Sequence, residues 1–114
     1  MPESRNLHIL WTNDNLTTSL FMVMQYSINS MTYKLWDSVT VILWGAPVAL
    51  TAGNEVIQEE IKVAQHVGVK FSACISCARR LDAVEKLESL GIEVIPWVEP
   101  FTQMVKDGEP IIYV

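Results

Sequence analysis

The segment Ala73-Cys74-Ile75-Ser76-Cys77-Ala78-Arg79-Arg80 holds both cysteines of the chain, a serine and two adjacent arginines. It lies where an apolar run stops and a helical pattern begins. In an open parallel sheet that junction faces the ligand crevice. A sulfur there meets unpaired amide groups and the positive end of a helix dipole, and both favour thiolate over thiol. The expected chemistry is therefore sulfur chemistry. Cys74 is the candidate nucleophile, and Cys77 is its resolving thiol, a second acceptor or a packing residue. Arg79 and Arg80, read as lying in the first turn of the next helix, oppose its dipole, so either a bound anion offsets at least one of them or both are simply solvated on an exposed face. They point about 100° apart, so only one of them faces the sulfur.

Three other readings compete for the same cysteines. Structural zinc needs four ligands, and the remaining soft candidates, His8 and His66, sit mid-strand and near a helix end. No metal is expected. A thioredoxin-like dithiol also opens a helix after a strand, but the antiparallel hairpin of that fold is missing here. The third reading is plain burial of two small apolar side chains. Asn13 and Asp14 follow the first strand and are expected on the same rim, either orienting a bound group or making turn and cap contacts. Ser76 is a further candidate anion contact. No Gly-x-Gly-x-x-Gly or P-loop follows any strand, and no cofactor is expected.

The elements that must position these residues alternate. Leu7–Trp11 and Ser38–Trp44 read as strands, and a long helix covers residues 16–34 between them. Residues 46–53 read as a loop. A helix from Asn54 to His66 buries Val56, Ile57, Ile61 and Ala64. Val69–Cys74 is a third strand and residues 77–90 a third helix, with Leu81, Val84, Leu87 and Leu90 inward and an Asp82–Lys86 pair outward. Ile92–Ile95 is a fourth strand. A short helix after Glu99-Pro100 turns Phe101, Met104 and Val105 inward, and Ile111–Val114 is a last strand. Strands alternating with helices predict one domain: a three-layer α/β/α fold on a five-stranded parallel sheet, with strands apolar on both faces.

The net charge of −5 and the lack of basic stripes predict neither a nucleic-acid nor a membrane partner. Two cysteines and no leader pattern point to a reducing, cytoplasmic setting. From Asn15 to Tyr33 no side chain is charged. Thr17, Thr18, Ser19, Gln25, Ser27, Asn29, Ser30 and Thr32 argue against a membrane span, so the helix is expected to bury several faces, one of them against another subunit. Four tryptophans and five methionines in so short a chain fit the same homo-oligomer.

The cysteine at a strand end, the small residues and Arg79-Arg80 resemble the DsrE/DsrF-like family of small α/β proteins, over nearly the whole chain. That resemblance implies the five-stranded parallel sheet and a trimer or hexamer. It also implies a sulfur carrier or sulfurtransferase that holds a persulfide on Cys74, with a sulfur donor or acceptor protein as partner. Leu81 stands where relay members often carry glycine, and Cys77 is additional to their single-cysteine pattern. The competing functions are a non-catalytic oligomeric binding subunit and a Cys-x-x-Cys redox protein.

Overall fold

A computed structural model describes residues 5–114. Five strands form one parallel sheet in the order β4-β3-β2-β1-β5. They are β1 (Asn6–Trp11), β2 (Ser38–Leu43), β3 (Lys70–Cys74), β4 (Glu93–Ile95) and β5 (Ile111–Tyr113). The chain winds outward from β1 to β4, then crosses to the far side of β1 to place β5.

The first helix has three parts: α1 (Leu16–Thr18), a π-helical stretch (Ser19–Met24) and α2 (Gln25–Thr32). The Gln25 amide donates to the Leu20 carbonyl five residues back. Trp11 Nε1 donates to the buried Ser19 hydroxyl at 3.2 Å, which fixes the start of the wide turn on the sheet.

The segment 46–53, expected as a loop, is helix α3 (Ala46–Gly53). Its alanines and leucine are good helix formers, and Pro47 sits in the first turn, where a missing N–H costs nothing. Helix α4 (Glu55–His66) starts at Asn54, whose side chain accepts from the Ile57 amide at 3.0 Å. The expected helix over 77–90 is two short helices, α5 (Ile75–Arg80) and α6 (Val84–Ser89). Between them Asp82 adopts φ 52°. The Ala83 amide reaches back to the Ala78 carbonyl and the Asp82 amide to Arg79, a Schellman closure without glycine. The break leaves Leu81 exposed and no Asp82–Lys86 ion pair among the described residues. Helix α7 (Val98–Lys106) is the last helix among the described residues.

The two faces of the sheet are covered unequally. One face carries Leu7, Ile9, Trp11, Val39, Val41, Leu43, Phe71 and Ala73, packed with Val23, Met24, Ile57, Ile61, Ala64 and Leu87 from the helices. Among the described residues only α7 covers the other face. Trp97 just before it, with Phe101 and Met104 on it, packs against Leu10, Ile42, Trp44, Ile95 and Ile111. This leaves the amino half of that face to polar side chains, so the expectation of strands apolar on both faces holds only for their carboxyl halves. Val56 and Val105, expected inside, are about half exposed.

Candidate functional site

Cys74 is the last residue of β3 and the cap of α5, in extended conformation (φ −67°, ψ 122°). Cys77 lies three residues on, at the third position of that helix. Both thiols are free. The strand end therefore delivers both sulfurs to the carboxyl edge of the sheet, where the sequence places them.

Their environments reverse the expected ranking. Cys74 is 3% exposed, and its side chain accepts no capping hydrogen bond from α5. A buried sulfur does not meet a protein or small-molecule donor first. Cys77 is only partly buried and packs against the main core. Burial pushes its thiol up. The Gly45 amide and the Arg80 guanidinium act the other way, while the neighbouring Cys74 side chain adds to the rise. The balance leaves Cys77 protonated at neutral pH, so it is not a preformed thiolate. The cause is geometric: α5 has six residues and supplies little dipole, whereas the core behind Cys77 costs the charge its solvation.

Arg79 and Arg80 stand in the last turn of α5, not the first. A cation at that end complements the dipole, so no anion is required to explain them. Both are exposed, and neither makes an ion pair among the described residues. Arg80 is the one that biases Cys77. Ser76 is exposed beside it.

Asn13 and Asp14 lie on the same edge but follow β1, and β2 stands between β1 and β3. Two strand spacings put them about 10 Å from the cysteine strand. Asn13 Oδ1 accepts from the Asn15 amide at 3.1 Å, and Asn15 in turn caps α1 through the Thr18 amide at 2.8 Å. Asn13 is thus spent on turn chemistry, and the structure does not bring these two residues to the sulfurs. No group of three or more His, Cys, Asp or Glu side chains among the described residues is arranged to hold a metal.

The chain is 34% identical to BT1422, a conserved protein of unknown function from Bacteroides thetaiotaomicron. The match covers 96% of this chain and 95% of that one, with a TM-score of 0.94. The chain belongs to the BT1422 family. Two more distant structures share the fold at 16% identity each. They are MTH1491 from Methanobacterium thermoautotrophicum, a protein of unknown function, at TM-score 0.75, and the ychN protein of E. coli at 0.67. Each match covers 98% of this chain and all of the other. No family model and no curated protein matches the chain.

Sequence reasoning missed one residue at the site of this BT1422-family chain. Gly45 follows β2, the strand next to β3, and adopts φ 80°, ψ −124°. An L-residue is strained there, and that backbone turn aims an amide at Cys77. A glycine closing a strand was the available signal, but it reads equally as a helix start, which it also is.

Proposed function

We propose that the protein carries sulfane sulfur on its Cys74-x-x-Cys77 pair, as a sulfur carrier or sulfurtransferase of the DsrE/DsrF-like kind, with Cys77 as the sulfur that meets the donor. The observation that carries this reading is the contrast between the two thiols. One is buried at the strand end, and the other opens to solvent between the Gly45 amide and the Arg80 guanidinium.

In the loading step the Cys77 thiolate attacks the outer sulfur of a persulfide or polysulfide donor. A new S–S bond forms at Cys77, the donor's S–S bond breaks, and the donor leaves as a thiolate. An acceptor thiolate later attacks the outer sulfur, and Cys77 leaves as a thiolate. No electrons are gained or lost overall. A persulfide ionises more readily than a thiol, so the amide and the guanidinium stabilise the loaded form more than the empty one. Only the minor thiolate fraction of Cys77 loads, so loading accelerates with pH.

Mass spectrometry after treatment with inorganic polysulfide tests this. The expected product gains about 32 Da, one sulfur, lost on reduction and absent in Cys77→Ser. An unmodified protein, or an adduct unchanged in both single-cysteine variants, overturns the proposal. Closeness of Cys74 to Cys77 favours a second reading, a redox dithiol. It predicts an internal disulfide in mild oxidant and no retained sulfur. A purely structural pair predicts thiols inert to iodoacetamide even in alkali.

A further inference from the structure

The half-covered face of the sheet holds a cavity of about 500 Å³ that opens at its amino end, around His8, Thr40 and Lys70, and reaches up β4 to Ile95, the register partner of Cys74. Lys70 and Cys74 are the two ends of β3, so about 13 Å separates them along the strand. That volume lies within the range of small-ligand sites.

Its floor follows from the register. His8 pairs with Thr40, and Thr40 with Lys70, so an imidazole, a hydroxyl and an ammonium stand in one row across three strands. Neighbouring strands are about 4.8 Å apart, so the row spans about 10 Å. Ser72 and Glu93 form the next row up. One hydrogen-bond chain closes that end. Trp97 Nε1 donates to Ser72 Oγ at 2.8 Å, and Ser72 Oγ donates to the Glu93 carbonyl at 3.1 Å. The indole is buried and therefore fixed as an apolar wall, with the His8 ring edge-on at 6.3 Å.

Three features of this cavity are not used by the fold. His8 Nδ1 is buried without a hydrogen-bond partner among the described residues, which costs free energy unless something fills the position. Lys70 and Glu93 line the same space with opposite charges. Neither forms an ion pair among the described residues. Burial lowers the imidazole, outweighing the attraction of Glu109, so His8 is neutral at pH 7 and the lining carries one positive and one negative charge. A simple anion would face Glu93 and a simple cation would face Lys70. A small ligand with both signs satisfies both.

We propose that this cavity binds a zwitterion of the free α-amino acid class, its carboxylate on Thr40 and Lys70, its ammonium toward Glu93, and its side chain against Trp97. The proposal does not depend on the cysteine pair.

The test is a set of NMR titrations of the full chain that follows the Trp97 indole N–H and the Lys70 and Glu93 amides. L-leucine is expected to shift these signals in a saturable way. N-acetyl-L-leucine, an anion only, and L-leucine methyl ester, a cation only, are each expected to bind at least tenfold more weakly. Lys70→Met and Glu93→Gln, both at exposed positions, are expected to weaken L-leucine tenfold or more while leaving the remaining spectrum in place. L-serine and L-glutamate, run in parallel, separate a leucine preference from a class preference. No saturable shift with any of the three amino acids overturns the proposal. So does equal binding of either masked derivative, or movement of the same signals with protein concentration alone.

Discussion

At the residue scale the position of the cysteine pair is legible in the sequence, but its electrostatics are not. The spacing places Cys74 at the strand end, and there it is. Which sulfur reaches water depends on how many core side chains close over the strand end, a tertiary quantity with no local signature. Burial and the neighbouring sulfur outweigh Gly45 and Arg80 at Cys77. Its alkylation by iodoacetamide is therefore expected to rise with pH toward a midpoint above that of an ordinary thiol. Arg80→Gln removes an opposing cation and is expected to move that midpoint further up, while Arg79→Gln leaves it in place. A midpoint below that of a free thiol would mean that the amide and the guanidinium outweigh burial after all. Gly45 gives a second test. A Cβ on it would meet nothing within 4 Å, so the cost of Gly45→Ala is backbone strain, about 1–3 kcal/mol. Denaturant unfolding measures that loss, and the same variant is expected to slow alkylation of Cys77 by turning its amide away.

At the element scale the sequence locates the strands well because each is a β-branched or apolar run ended by turn formers. It fails where the signal is weak or misleading. Small uncharged residues at 46–53 look like a loop, although their propensity is helical. The stripe Leu81, Val84, Leu87, Leu90 looks like one helix because its spacing is right on both sides of the break, where Leu81 and Ala83 leave the helical conformation around Asp82 at φ 52°. Lys34, at φ 55°, closes α2 in the same way. Lysine gains nothing from this conformation, whose cost is about 1–2 kcal/mol for an L-residue. Lys34→Gly is expected to raise stability by up to about 1 kcal/mol after the added freedom of the unfolded chain is subtracted, measured as a higher denaturant midpoint. On β1 the neutral His8 under Trp97 adds a pH term. Its folded pKa is depressed, so just below about pH 6.5 the unfolded chain binds more protons than the folded one. Stability from this group is complete above that pH and falls as the pH drops through the window. His8→Gln is expected to flatten the acid side of a plot of unfolding free energy against pH, and an unchanged slope would remove His8 as its source.

At the scale of the whole molecule, the uncharged stretch Asn15–Tyr33 is readable, but what covers it is not. The single chain leaves Phe21 69% exposed and Val56 54% exposed, with Leu16 beside them in the sequence pattern at 41%. Leu20, Phe21, Ile28 and Val56 line a shallow groove of about 320 Å³ between the first helix and α4, with Glu60 at its border. No helix among the described residues is long and apolar enough to cross a membrane, so a bilayer-spanning helix does not account for this stretch. Charge omitted from nineteen consecutive positions costs solubility, and self-association recovers that cost by burying the face. The homo-oligomer expected from the sequence is therefore predicted to use this side of the molecule, opposite to α7. Phe21→Glu is expected to convert it to monomer, because a carboxylate in a closed apolar contact costs several kcal/mol unless paired. Val98→Glu, equally exposed but beside the far face, is expected to leave the assembly intact. Sedimentation equilibrium of the three proteins decides between these outcomes. A wild type that stays monomeric across concentrations removes self-association altogether, and dissociation by Val98→Glu alone moves the contact to the α7 side. In that case the second copy would sit against the same half-covered face as the polar cavity, and the Trp97 indole signal would report its arrival.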